Sequence, residues 1–76
     1  MDNRQIRDEI DQYSDGHIRQ LINEYIHSER DRAILKRKLL DDIVFEQLAE
    51  EFGLSVRRAK TIVYNGRLKI YKHIRE

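Results

Sequence analysis

The sequence has no cysteine and no proline, and it has only three glycines among its 76 residues. Without cysteine there can be neither a disulfide framework nor a cysteine metal site. The three histidines, His17, His27 and His73, lie too far apart along the chain to indicate a cluster of metal ligands. Because residues that interrupt helices are so few, we expect an almost entirely helical, all-α protein.

Long apolar runs and catalytic patterns are also missing. No apolar run reaches the roughly 18 residues of a membrane-spanning helix, and no signal-peptide pattern is present. We therefore expect a soluble, cytoplasmic protein with no membrane partner. No carboxylate pair with catalytic spacing, glycine-rich phosphate loop or nucleophile with a base stands out, so we expect no enzyme activity, no catalytic residue, no cofactor and no metal.

The most informative segment is VFEQLAEEFGLSVRRAK, from Val44 to Lys60. Its first half has apolar residues at the i, i+3, i+4 and i+7 positions of a helix. Gly53 follows directly, where a helix C-cap needs a left-handed residue, and Ser55 is a good N-cap for a second helix. The pattern predicts helices at about 44–52 and 56–74 with a turn at 53–55, which is the form of a helix-turn-helix.

In a helix-turn-helix the start of the second helix enters the major groove of DNA. The sequence offers basic and hydroxyl side chains there. Arginine can bond the acceptors of guanine, threonine can contact the thymine methyl group, and lysine can bind phosphate. A solvated helix face is the alternative interpretation of the same charges. The candidate DNA-binding residues are Ser55, Val56, Arg57, Arg58, Lys60, Thr61, Tyr64 and Arg67.

The distribution of charge favours the DNA-binding interpretation. Residues 1–52 contain 8 Lys and Arg against 13 Asp and Glu, whereas residues 53–76 contain 7 against 1, so a net charge of +1 conceals segments of −5 and +6. This arrangement is typical of a module that presents one helix to a polyanion. We expect its affinity for DNA to fall steeply with salt.

The N-terminal half is predicted to add two or three helices, which makes four to five in one domain spanning 1–76. Residues 1–13 show a short amphipathic pattern, and the clearest pattern follows Ser14, at Ile18, Leu21, Ile22, Tyr25 and Ile26. Together these segments form an N-terminal helical extension at 1–27. Ser28 is the predicted N-cap of the next helix, which should end near Asp41 and Asp42.

The stretch from Ile34 to Ile74 resembles region four of bacterial sigma factors, the domain that recognises the upstream promoter element. The similarity lies in a helix ending in Leu-Leu-Asp, a short joint, the phrase FEQLAEEFGLS and a long basic helix. It implies a helix-turn-helix fold and a bacterial or phage transcription regulator. Transferred from that family, the promoter contacts fall on Val56, Arg57, Lys60 and Thr61, with Arg58 adjacent.

Two features depart from that family. The chain has no residues for the separate polymerase-binding, promoter-melting domain, so we do not expect a complete conventional sigma factor. Val44 stands where the family usually has a Ser or Thr cap, which leaves Asp41, Asp42 or water to cap that helix.

Gly66 interrupts the last helix and is interpreted as a small residue at a close helix crossing.

Tyr64, Leu68 and Tyr71 form a second apolar stripe on the last helix that the motif does not explain. Either the N-terminal helices cover it with Ile18, Leu21, Ile22 and Tyr25, or it binds a partner or a second copy of the chain. The leading hypothesis is a sequence-specific DNA-binding regulator. The alternatives are a protein-interaction module for RNA polymerase or a sigma factor, and a dimeric regulator related to response-regulator output domains.

Overall fold

The computed structural model describes residues 3–75, and this part of the chain consists of helices and short connections without a β-strand. Met1, Asp2 and Glu76, which the predicted domain span of 1–76 includes, lie outside the described residues. The all-α prediction is confirmed. The helices are α1 (Asn3–Ile10), α2 (Asp15–Tyr25), α3 (Glu29–Leu39), α4 (Phe45–Phe52) and α5 (Val56–Ile74).

Local capping sets most of the helix ends. The hydroxyls of Ser14, Ser28 and Ser55 accept hydrogen bonds from the backbone N–H three residues later, at 3.2, 3.3 and 3.0 Å. Each bond satisfies one of the N–H groups that a helix leaves free at its start. α4 is different, because its N-cap Val44 supplies no side-chain hydrogen bond within the described residues.

The core is formed by the inward faces of all the helices, and α5 is its centre. α5 packs against each of the other four helices. The buried apolar residues are mostly aliphatic: Ile6, Ile10, Ile18, Leu21, Ile22, Ile26, Ile34, Leu35, Leu48, Ala49, Ala59, Ile62, Val63, Ile70 and Tyr71. Because one side of α5 is packed along its whole length, its opposite side is left to solvent.

Gly66 lies at the crossing of α3 and α5. A Cβ atom built at this position would lie 2.8 Å from Cδ2 and 3.0 Å from Cγ of Leu35, a residue of α3 that is fully buried. Real Cβ atoms rarely approach other carbons this closely, so any side chain here would force Leu35 to move. This contact fits the interpretation of Gly66 as a small residue at a close crossing.

The apolar stripe predicted on α5 is not a continuous surface. Tyr71 is only 3% exposed and belongs to the core, Tyr64 is half-buried, and Leu68 is 38% exposed. On this side α1 packs along α5, and Glu9 of α1 lies 3.8 Å from Arg75. The contacts on this side come from α1, whereas the covering residues predicted from the sequence, Ile18, Leu21, Ile22 and Tyr25, belong to α2.

An ion-pair network connects α3 to α4. The guanidinium of Arg37 donates from Nε to Glu51 at 3.0 Å and from Nη1 to Asp41 at 2.9 Å. The hydrogen bond from Arg37 holds the pKa of Glu51 below its usual value. These contacts connect α3 to the last turn of α4.

Candidate nucleic-acid interface

The start of α5 is fixed by the three-residue connection from α4. Gly53 has φ of +65°, and its backbone N–H bonds to carbonyls of the last turn of α4. The N–H of Leu54 donates to the carbonyl of Ala49 at 2.8 Å. Ser55 then caps α5 through the N–H of Arg58. Such a tight connection leaves the first turn of α5 little freedom, so its side chains have defined positions.

Most of the predicted DNA-binding residues lie together on the exposed side of this first part of α5. Ser55, Arg57, Arg58, Lys60 and Thr61 are exposed. Two further predicted residues are half-buried, namely Val56 and Tyr64, and the eighth, Arg67, is buried.

The exposed face continues beyond the residues that were predicted. Asn65, Lys69 and Lys72 are exposed further along the same helix. The sequence has no Asp or Glu between residues 56 and 74, so no carboxylate of α5 offsets these charges. The helix rises about 1.5 Å per residue, so the cations extend over more than 20 Å. Spacing at 100° per residue was sufficient to place Lys69 and Lys72 on this face.

Arg57 and Thr61 lie one turn apart in the middle of the exposed face. The hydroxyl of Thr61 donates to the carbonyl of Arg57 at 3.1 Å. This bond turns the hydroxyl hydrogen back toward the helix and leaves the methyl group as the part of Thr61 suited to an apolar contact. The Arg57 side chain has no ion pair in the part of the chain that the structure describes, so its guanidinium is available to bind.

Arg58 and Lys60 lie on opposite flanks of that central pair. Arg58 lines a groove of about 350 Å³ between α5 and the start of α3, to which Lys69, Lys72 and one acid, Asp31, also belong. The ammonium of Lys60 lies 5.7 Å from the centre of the Phe45 ring on the other side. Cations thus border the exposed face of α5 on both sides.

Arg67 lies away from this face, although the sequence predicted it to be one of the DNA-binding residues. Its side chain is only 8% exposed, and its Nε atom is buried without a hydrogen-bond partner within residues 3–75. Burial lowers the pKa of the guanidinium from its usual value. Arg67 is buried because it lies on the side of α5 that faces α1 and not on the side that faces solvent.

Arg67 lines a second pocket, of about 250 Å³, with three other cations that sequence reasoning did not connect to it. These are Arg4 and Arg7 of α1 and Lys38 of α3. All three belong to the segment with a net negative charge, so counting charge along the chain could not reveal them. Only the packing of α1 and α3 against α5 brings them together.

Two further findings concern residues 3–75 as a whole. They contain no group of three or more His, Asp or Glu side chains placed to hold a metal ion. None of the described helices is both long enough and apolar enough to cross a membrane.

A comparison of the chain with protein families, curated proteins and solved structures finds no match. The resemblance to sigma region four therefore rests on the residues from Ile34 to Ile74 and stays a prediction.

Proposed function

We propose that the protein is a sequence-specific DNA-binding transcription regulator of bacterial or phage type. In this proposal α4 and α5 form a helix-turn-helix, and the first half of α5 enters the major groove. The single observation that supports it most is the exposed face of α5, which carries Arg57, Arg58, Lys60, Lys69 and Lys72 without an acidic residue. A polyanion is the natural partner of such a face. The proposal includes a cytoplasmic location.

The geometry suggests separate roles for the four central side chains. Arg57 and Thr61 share the middle of the face, which suits base edges: the guanidinium can bond the two acceptors of guanine, and the threonine methyl can contact thymine. Arg58 and Lys60 lie on the two flanks, where the sugar-phosphate backbones on either side of the groove would pass.

Ser55, Val56 and Tyr64 complete the proposed interface. The Ser55 oxygen already accepts a hydrogen bond from Arg58, but its hydroxyl hydrogen remains free to donate to a phosphate. Val56 and Tyr64 are half-buried and would contact the DNA backbone at the edges of α5.

Selection of bound duplexes from a random pool provides the first test, followed by titration of a selected duplex with variants. We expect Arg57→Ala to cost about 1–3 kcal/mol and to relax the preference at one base pair, because it removes a bidentate base contact. Lys60→Ala should weaken binding to all duplex sequences about equally. The matched control is Arg19→Ala, at an exposed arginine of α2. Enrichment of no sequence at all, or equal affinities of the Arg57 and Arg19 variants, would exclude the proposal.

A second candidate function is supported by the surface of α4. Glu46, Gln47 and Glu50 are exposed there, next to Val44, which is 58% exposed. An acidic face with one exposed aliphatic residue suits a basic protein surface, such as one on RNA polymerase or a sigma factor. Capture of purified polymerase after nuclease treatment, lost in Glu46→Lys with Glu50→Lys, would favour this function. Failure to bind polymerase or a sigma factor would remove it.

A homodimer formed through Tyr64, Leu68 and Tyr71 is not part of the proposal. Tyr71 is buried and only Leu68 of the three is exposed, so little apolar area is left for such an interface.

A further inference from the structure

The pocket that contains Arg67 is formed by three parts of the chain. Arg4 and Arg7 come from α1, Lys38 and Asp42 come from the end of α3 and the connection after it, and Arg67 comes from α5. Phe45 and Tyr64 form its aromatic wall. The pocket therefore exists only because α1 folds against α5.

The charges around this pocket are unbalanced. Four cations line it, against one acid, Asp42. The most buried of the four is Arg67, whose Nε–H has no acceptor among the described residues. A buried cation without a partner is costly to a folded protein and usually has a counter-charge. Among the described residues no carboxylate forms an ion pair with Arg67, although the charges of Asp11 and Asp42 lie near enough to favour its protonated form.

The pocket also contains donors that remain free. Lys38 uses one of its N–H groups to donate to the carbonyl of Ile43 at 2.8 Å, which leaves two. Tyr64 contributes a hydroxyl group. α4 begins beside the pocket at Phe45, and its N-cap has no side-chain hydrogen bond.

We propose that this pocket binds a phosphate group, with Arg67 at its base and Arg4, Arg7 and Lys38 around it. The planar guanidinium of arginine can donate two hydrogen bonds to the oxygens of a phosphate group. Four cations suit a ligand of one to two negative charges. A carboxylate would supply fewer acceptors and less charge.

The pocket adjoins the exposed face of α5. Phe45, which lines it, lies 5.7 Å from the ammonium of Lys60. Two sources of the phosphate fit this position. One is the DNA backbone, reaching the pocket from the α5 face, and the other is a free phosphorylated small molecule.

The test of the pocket measures thermal unfolding in inorganic phosphate and in chloride at equal ionic strength and pH, without DNA. Phosphate at about ten times its Kd should raise the Tm of the wild type by roughly 6–11 °C relative to chloride. Arg67→Met should lose this increment. Its Tm in chloride should equal or exceed that of the wild type, because a buried unpaired charge is removed.

Arg19→Met is the matched control, and it should keep the phosphate increment, because Arg19 is exposed on α2 and does not line the pocket. If Arg67→Met does not fold, Arg7→Met at the exposed rim takes its place and should reduce the increment by at least half. Equal Tm values of the wild type in phosphate and chloride would overturn the inference. An undiminished increment in a folded pocket variant would do so too.

A second arm identifies the source of the phosphate and rests on the proposed function. If the DNA backbone is the source, Arg7→Met should weaken duplex binding and reduce its salt slope by about 1. If the source is a free phosphorylated molecule, the variant should bind duplex like the wild type while losing its phosphate increment. Because the first arm contains no DNA, the phosphate site and the DNA-binding proposal can fail separately.

Discussion

Gly66→Ala is the substitution for which local preference and packing predict opposite results. Alanine favours a helix over glycine by about 1 kcal/mol, so an open site in the middle of α5 would be stabilised. At Gly66, however, the new methyl group would meet three side-chain carbons of Leu35, two of them at 2.8 and 3.0 Å. Leu35 is fully buried, and the open space beside it is the groove of about 350 Å³ that it lines together with Gly66.

The packing effect should be the larger of the two. Overpacking of a filled core costs about 1–3 kcal/mol, and a methyl group in contact with the whole end of a leucine falls in the upper part of that range. After the propensity gain is subtracted, we expect a net loss of about 1–2 kcal/mol. For a domain of this size such a loss lowers the Tm by roughly 4–16 °C.

Gly16→Ala is the matched control, because a Cβ atom at Gly16 in α2 meets nothing within 4 Å. Thermal and urea unfolding should show this control more stable than the wild type by at most about 0.5–1 kcal/mol, because Gly16 lies in the first turn of α2. Leu35→Ala combined with Gly66→Ala should be less destabilising than the sum of the two single changes. Equal stabilisation by Gly66→Ala and Gly16→Ala would refute the close crossing of α3 and α5.

Two further predictions concern helix capping and pH. Ser55→Ala should lower the free energy of unfolding by about 1 kcal/mol, whereas Val44→Ser should raise it by a similar amount, as measured by urea unfolding, because α4 has no side-chain cap. A gain in stability for Ser55→Ala, or a loss for Val44→Ser, would contradict the capping argument. Arg37 lowers the pKa of Glu51, so their interaction stabilises the fold above the usual glutamate pKa and is lost as the pH falls through the lowered value. The Tm of Glu51→Gln should therefore fall less than that of the wild type between pH 5 and pH 3, and parallel curves would contradict this.

The helices of this chain could be predicted from its sequence because their signals are local. A serine cap, a left-handed glycine and an apolar period of 3.6 residues act within a few positions of the chain. These signals placed α4 and α5 at nearly the boundaries observed, with Ser55 and Gly53 in the expected capping roles. The same periodicity also separated the exposed side of α5 from its buried side.

The burial of Arg67 and Tyr71 could not be predicted in this way. A charged residue and an aromatic stripe on a helix have the same pattern whether or not another helix covers them. Their environment is set by α1, which is distant in sequence and packs against α5 in the fold. For the same reason the cations of the pocket remained hidden within a segment whose net charge is negative.

The salt dependence of duplex binding tests the central claim most directly. If the five exposed cations of α5 all neutralise phosphates, the logarithm of the affinity should fall with the logarithm of the salt concentration with a slope of up to about −4.5. Lys60→Ala should make that slope shallower by about 1, and Arg19→Ala should leave it unchanged. A slope near zero, or equal slopes for the two variants, would contradict the account of α5 as the DNA-binding helix.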